Sequence, residues 1–262
     1  MNNILIIGYG YVGSAIGSVF KKKELTIIDP KINNKKIFDF KNKKFDIIFV
    51  CVDTPKNEKF KTLKSILEEI DLTFRDTVIC SKSTASPEFY FKASKALKNN
   101  KLVFSPEFLS HRTNITDFKK QKFLILGGES NDCKRIATIL APRLNYLKTI
   151  KYTDIKTAAL VKYSENAFLS LKVSFFNEMY HLHKSLKCGS KFIDYTSLMG
   201  LDSRIGNTHM QVPGPDGSFG WGGHCFEKDN LEFEKISKSS LISFLRKINI
   251  KHRKYKLSVE NV

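Results

Sequence analysis

The feature that most restricts this chain stands at its start. Residues 4–13 read ILIIGYGYVG: an apolar run leads straight into Gly8, Gly10 and Gly13, spaced GxGxxG, and a helical pattern opens at Tyr11. In a strand that turns through glycines into a helix, the first glycine permits the tight turn. The second lets the backbone approach an anion, and the third lets helix pack on strand. The N–H groups of the new helix, Tyr11 and Val12 in its first turn, then face a pyrophosphate. Asp29 ends the next apolar run, 21 residues after Gly8. An acid there accepts the ribose hydroxyls of NAD and repels the extra phosphate of NADP. Strand, helix and acid in register favour dinucleotide binding over a glycine turn that only packs strand on helix.

The rest of the first 150 residues fits that start. Apolar runs at Ile4–Ile7, Leu25–Ile28, Asp46–Val52, Thr77–Cys80, Leu102–Phe104 and Phe123–Leu126 alternate with helical patterns. Those patterns lie near Tyr11–Lys22, Leu63–Leu72, Pro87–Lys98 and Asp132–Leu140. Short continuous apolar runs suit strands buried on both faces of a parallel sheet. Strand–helix alternation predicts an α/β, Rossmann-like doubly wound sheet over residues 1–152. From Asp154 to Lys187 there is neither Pro nor Gly. Residues 160, 163, 167, 171, 174/175 and 178/179 recur there at helical spacing, predicting one long central helix of about 50 Å. Thr153 is its expected N-cap and Gly189 its stop. It leads into a small helical domain, so residues 153–262 form the second expected domain. The last helical stretch is expected from Asp229, and the basic Lys251–Lys256 to fray.

Composition narrows the partners. The formal net charge is +18, but the lysines are spread through every segment and no nucleic-acid motif accompanies them. The expectation is no nucleic acid, with a positive field that draws in an anionic cofactor or a nucleotide sugar. Five cysteines, at 51, 80, 133, 188 and 225, are widely spaced with no CxxC pair. Neither a disulfide framework nor a metal site is expected, and a reducing cytoplasm is the natural setting. The N-terminus has no basic leader, and no stretch reaches the length of a membrane span, so no membrane partner is expected.

Chemistry concentrates at residues 212–229, VPGPDGSFGWGGHCFEKD. Five glycines precede Cys225 and a helical pattern begins near Lys228–Asp229. A thiol near a helix N-terminus and beside a lysine is biased toward the nucleophilic thiolate. Asp229 stands four residues on, one helical turn away. For the other four cysteines, packing as small buried hydrophobes is the preferred reading.

Taken together, these motifs resemble the UDP-glucose/GDP-mannose dehydrogenase family from residue 4 to about residue 232. GYGYVG looks like its NAD turn. CVDTP at 51–55 looks like its second cofactor loop, which implies Thr54 near the dinucleotide. SKST at 81–84 and SPEFL at 105–109 resemble the segments carrying a catalytic threonine and glutamate, implying Thr84 and Glu107. KYSENAFLSLKVSFFNE at 162–178 resembles the central helix and implies catalytic and substrate-binding roles for Lys162 and Asn166. DSRIG at 202–206 resembles the substrate-binding arginine motif that reaches across a dimer, implying Arg204. GWGGHCFEKD resembles the nucleophile motif, implying Cys225 and Asp229, with Gly222 on the substrate and Lys228 on the cofactor. Other roles stay open: a turn residue for Thr84, a helix cap for Glu107, a solvated face for Lys162 and Asn166, an interface ion pair for Arg204.

The resemblance implies NAD-dependent oxidation of the C6 hydroxyl of a nucleotide sugar to a carboxylate, UDP-glucose to UDP-glucuronate first among them. GDP-mannose and UDP-N-acetylhexosamines are alternative substrates. Asp229, through a held water, would take the hydroxyl proton. Cys225 would capture the aldehyde as a thiohemiacetal and then hold a thioester, hydrolysed with help from Glu107 or Asp229. Lys162 and Asn166 would stabilise the oxyanion. A homodimer through the central helix is implied.

Four departures stand out. The stretch from Asp29 to Val50 is short, so a strand–helix unit is expected to be missing. His111 and Ala159 replace glutamates usual in the family. The chain reaches Val262 without the family's C-terminal nucleotide-sugar domain, which leaves a second reading. In it, the chain is a non-catalytic or split-enzyme subunit that binds NAD and dimerises, with a separate chain supplying that domain.

Overall fold

The apolar runs at Ile4–Ile7, Ile47–Val50 and Val78–Ser81 are strands whose residues are buried throughout. The computed structural model describes residues 2–109 and 113–255. The strands are β1 (Ile4–Ile7), β2 (Leu25–Ile28), β3 (Ile47–Val50), β4 (Val78–Ser81), β5 (Lys101–Phe104), β6 (Phe123–Gly127) and β7 (Thr149–Thr153). They form one sheet in the order β2-β1-β3-β4-β5-β6-β7. The first five run parallel, as expected. The last two run the other way: β6 meets β5 antiparallel at Phe104–Gly127, and β7 lies parallel to β6. The sequence reading did not include β7, whose TIKYT lies at the sheet edge largely exposed and so carries no apolar run.

Side-chain alternation divides the core between the two faces of the sheet. Leu5, Ile7, Ile48 and Val50 face α2 (Lys61–Thr73), α3 (Pro87–Ala96) and the start of α6 (Ile155–Ser185). Ile4, Ile6, Ile47 and Phe49 face α1 (Tyr11–Gly17), α4 (Asn114–Lys120) and α5 (Ser130–Leu140). Burial on both faces is why these strands read as unbroken apolar runs. Helix α1 stops at Gly17 rather than near Lys22. A side chain at Gly17 would run into the Tyr9 ring, and a 3-10 turn at Lys22–Glu24 then leads into β2. Between β2 and β3 the chain makes only one 3-10 turn, Ile37–Phe40, and no α-helix. The short connection thus adds no strand, and β2 is an edge of the sheet. Ala159 lies fully buried in the first of the two apolar clusters, where a carboxylate would need a buried partner.

Helix α6 is the long central helix. Its N-cap is Asp154, not Thr153: Thr157 N donates to Asp154 Oδ1 at 2.9 Å, while Thr153 completes β7. It ends at Ser185, and Lys187, with φ +51°, takes the left-handed turn assigned beforehand to Gly189. Of the residues at that helical spacing, Leu160, Leu171 and Phe175 are exposed, while Tyr163, Ala167 and Ser174 are buried together with Asn166, Ser170, Asn177 and Tyr180. Four of those seven are polar, so apolar spacing alone does not give the buried face.

Residues 1–162 make one unit and 163–262 a second. In the second, α6 is joined by α7 (Phe192–Met199), α8 (Gly223–Ser237) and α9 (Ser240–Lys254). The single stretch expected from Asp229 is thus two helices that begin earlier. Lys251–Lys254 belong to α9, while Lys256 lies outside the described residues. Among the described residues, no helix is long and apolar enough to cross a membrane.

Candidate dinucleotide and cysteine sites

The glycine turn sits where the sheet order reverses. β1 has β2 on one side and β3 on the other, and in open α/β sheets ligands collect beyond the strand ends at such a point. Gly8 has φ +83°, and a Cβ there would stand 2.6 Å from the carbonyl oxygen of Cys51, the first residue after β3. A Cβ on Gly13 would collide with the Gly8 carbonyl. Gly10 is different: a Cβ there would meet nothing within 4 Å, so the space above it is open. Asp29 is held at the end of β2, its Oδ2 accepting from Tyr9 N at 2.6 Å and its Oδ1 from Lys31 N at 2.8 Å. The carboxylate is therefore fixed beside the turn. Two sterically required glycines, one open glycine at a helix start and a clamped acid fit a dinucleotide whose pyrophosphate lies over Gly10, Tyr11 and Val12.

The loops after β3 and β4 are tied together. Thr54 Oγ1 donates to the Thr84 carbonyl at 2.8 Å, and Ser83 Oγ to the Val52 carbonyl at 2.6 Å. Thr54 is buried and Thr84 half-buried. Glu107, after β5, is buried and meets Lys82 Nζ through Oε2 at 2.9 Å. Burial pushes the Cys51 thiol well up and the Cys80 thiol up to about 12, outweighing the nearby Lys82 ammonium. Cys80 and Cys133 are buried, as the sequence reading prefers, but Cys51 is half-buried and Cys188 is exposed, so the packing reading fails for Cys188. Lys162 Nζ lies 4.8 Å from the centre of the Phe108 ring. His111 lies outside the described residues.

In the second unit, Cys225 is exposed and occupies the first turn of α8. The helix opens at Gly223 on a Gly222 N-cap, so the cysteine lies inside the helix rather than ahead of it. That position brings the thiol to the positive end of the helix dipole, which favours a thiolate. One turn on, buried Asp229 accepts from Asn166 Nδ2 and Lys228 Nζ, each at 2.6 Å. Below them Asn230 Nδ2 donates to Ser170 Oγ at 2.7 Å. Arg204 is exposed and wraps its own Asp202, while Lys172 Nζ grips the Ile205 and Gly206 carbonyls at 2.8 and 3.0 Å.

The glycine loop that precedes Cys225 has anchors that motif reading did not find. Asn249 of α9 pins both sides of Trp221, taking its N–H through Oδ1 and donating Nδ2 to its carbonyl, each at 2.8 Å. Asn177 Oδ1 accepts from Gly220 N, Trp221 Nε1 donates to Ser174 Oγ, and Arg253 reaches Asp216 at 2.7 Å. A Cβ on Gly222 would stand 2.7 Å from the Arg253 guanidinium, the movable end of a flexible side chain, so a larger residue there displaces Arg253 rather than backbone. Asn177 and Ser174 carried one signal in the sequence: polar residues at helical spacing in line with Asn166 and Ser170.

A reversed-order parallel sheet with a glycine turn at its switch point, followed by a helical unit bearing a helix-start cysteine, defines a dinucleotide-dependent dehydrogenase class. Residues 38–143 match the NAD-binding domain of the UDP-glucose/GDP-mannose dehydrogenase family, and residues 156–250 its central domain. The chain belongs to that family, and NAD is its cofactor. An uncharacterised protein of Methanocaldococcus jannaschii is 35% identical over 201 residues, which are 72% of this chain and 22% of that protein. UDP-glucose 6-dehydrogenase of Rickettsia conorii is 30% identical over 276 residues, 89% of this chain and 62% of that enzyme. The chain therefore spans less than two thirds of either relative. A UDP-glucose dehydrogenase from Pyrobaculum islandicum superposes with a TM-score of 0.77 at 20% identity, over 96% of this chain and 68% of that one, a likeness of fold.

Proposed function

We propose that this chain carries out the NAD-dependent oxidation of the C6 hydroxyl of a nucleotide sugar, UDP-glucose first among the candidates, through covalent capture on Cys225. The observation that carries the reading is the exposed Cys225 in the first turn of α8, one turn from an Asp229 that is buried and clasped by Asn166 and Lys228. NAD supplies one chemistry, the uptake of a hydride at each of two oxidations. Asp229 accepts the hydroxyl proton through a water that it orients. Cys225 Sγ bonds to the aldehyde carbon, giving a thiohemiacetal whose oxygen Asn166 and Lys162 are assigned to stabilise. After the second oxidation the carbon is a thioester. Water adds to it, the C–S bond breaks, and the thiolate returns to Cys225 while the water's proton passes to a carboxylate, Asp229 or Glu107. Thr54 and Lys228 are assigned to the cofactor, and Thr84, Gly222 and Arg204 to the substrate.

The test is NADH absorbance with purified chain, NAD and UDP-glucose, beside Cys225→Ala. Steady NADH formation that the variant loses supports the reading. Calorimetric NAD binding without NADH, with UDP-glucose and with GDP-mannose or UDP-N-acetylhexosamines in its place, sinks it. That result leaves an NAD-binding subunit that needs a further segment or chain.

The same reading includes a homodimer through α6. Val161, Phe168, Phe175 and Leu182 recur every seven residues on its outward side, between 36% and 65% exposed. A second copy of this chain is the assigned occupant, because a heptad stripe is self-complementary between two helices.

A further inference from the structure

Lys82 follows β4 directly, and its side chain is 0% exposed. Its Nζ donates to Ser105 Oγ and to Glu107 Oε2, both at 2.9 Å. The backbone around the pair is fixed, since Lys82 N donates to the Val50 carbonyl and Ser105 N to the Ser81 carbonyl, extending the ladders of the sheet. Among the described residues the ammonium also has near it the Cys80 and Cys51 thiols, both raised by burial, and the Phe118 ring of α4, its centre 5.9 Å away. Taking an ammonium and a carboxylate out of water is costly, and an apolar pair of like volume commonly serves a fold as well or better. The pair lies beyond the C-terminal ends of β4 and β5, where ligand sites in such sheets gather.

We propose that Lys82 is a positioning residue of the reaction centre, which grips Oε2 of Glu107 and Oγ of Ser105 and fixes that carboxylate as a hydrogen-bond acceptor. Gripped by the ammonium at 2.9 Å, the carboxylate is held in one place and one orientation beyond β4 and β5. The functional part rests on the reading of Glu107 as a site residue. The geometric part does not.

The experiment follows the carboxyl carbon of Glu107 by NMR in the full chain labelled at glutamate Cδ, its signal assigned by loss in Glu107→Gln. At one fixed pH near neutrality, the Glu107 signal moves and broadens in Lys82→Met and Lys82→Gln, because the grip on Oε2 is gone, and Lys82→Arg behaves as the parent. An unchanged Glu107 signal in a folded Met or Gln variant overturns the proposal. So does failure of both uncharged variants to fold while Lys82→Arg folds, since the lysine is then structural only. Whether Glu107 takes part in turnover is decided separately, by NADH formation in Glu107→Gln.

Discussion

Gly8, Gly10 and Gly13 share one motif, but a methyl group would act differently at each. At Gly8 and Gly13 it strikes backbone, so alanine costs stability. At Gly10 it enters open space, but at φ −73° and ψ −143°, a pairing outside the regions usual for a residue with a Cβ, and it occupies the position assigned to the pyrophosphate. Gly10→Ala is expected to cost about 1 kcal/mol of stability while weakening NAD binding at least tenfold, read by calorimetry beside a thermal melt. Tight NAD binding by that variant contradicts the placement. Asp229 gives a second expectation. Its removal strands Lys228 and Asn166 in a buried place, so Asp229→Ala should cost at least about 2 kcal/mol in urea unfolding as well as turnover. A variant of parental stability would show that the clasp is not formed. Gly8, Asp29 and Cys225 were legible from the sequence because their signals are local. Lys82 was not: its partners lie 23 and 25 residues away, and its burial contradicts what a lysine usually does.

Elements were read more securely than their ends and faces. Six strands and the long helix stand out because apolar runs and periodicity are repeated signals. The capping of α6 shows what was missed. Thr153 and Asp154 both suit an N-cap, and the choice depends on β7, an exposed edge strand that uses Thr153. Asp154 Oδ1 and Oδ2 accept from Thr157 N and Oγ1, which holds the carboxyl below its usual range. A carboxylate lowered on folding adds stability above its unfolded value, and that stability is lost as pH falls through the folded value. Asp154→Ala should therefore cost about 1 kcal/mol near neutral pH, shrinking as pH falls below the ordinary carboxylate range, as measured by denaturant melts from neutral to acid pH. A deficit that does not change with pH assigns the effect to something other than the cap. The inward face of α6 is not given by apolar spacing alone, because Asn166, Ser170, Ser174 and Asn177 each find a partner, and paired polar groups can be buried where periodicity expects apolar ones.

At the scale of the whole molecule the outward stripe of α6 is the feature with consequences in solution. Phe168→Glu with Phe175→Glu adds charge on a face that the lone chain leaves in water, so the fold should persist while a dimer dissociates. Sedimentation decides it, and a parent that sediments as a monomer removes the dimer. The two units also differ in how far apart in the chain their parts lie. The cofactor turn needs residues up to Cys51, all made early. Trp221, by contrast, is held by Asn249, and Asp216 by Arg253, both on α9. During synthesis, where N-terminal parts fold first, the glycine turn can set while α9 is still inside the ribosome. The glycine loop that leads into α8 cannot. A nascent chain therefore acquires its cofactor cradle before the approach to Cys225 is organised, and α9 acts as the late latch that holds it.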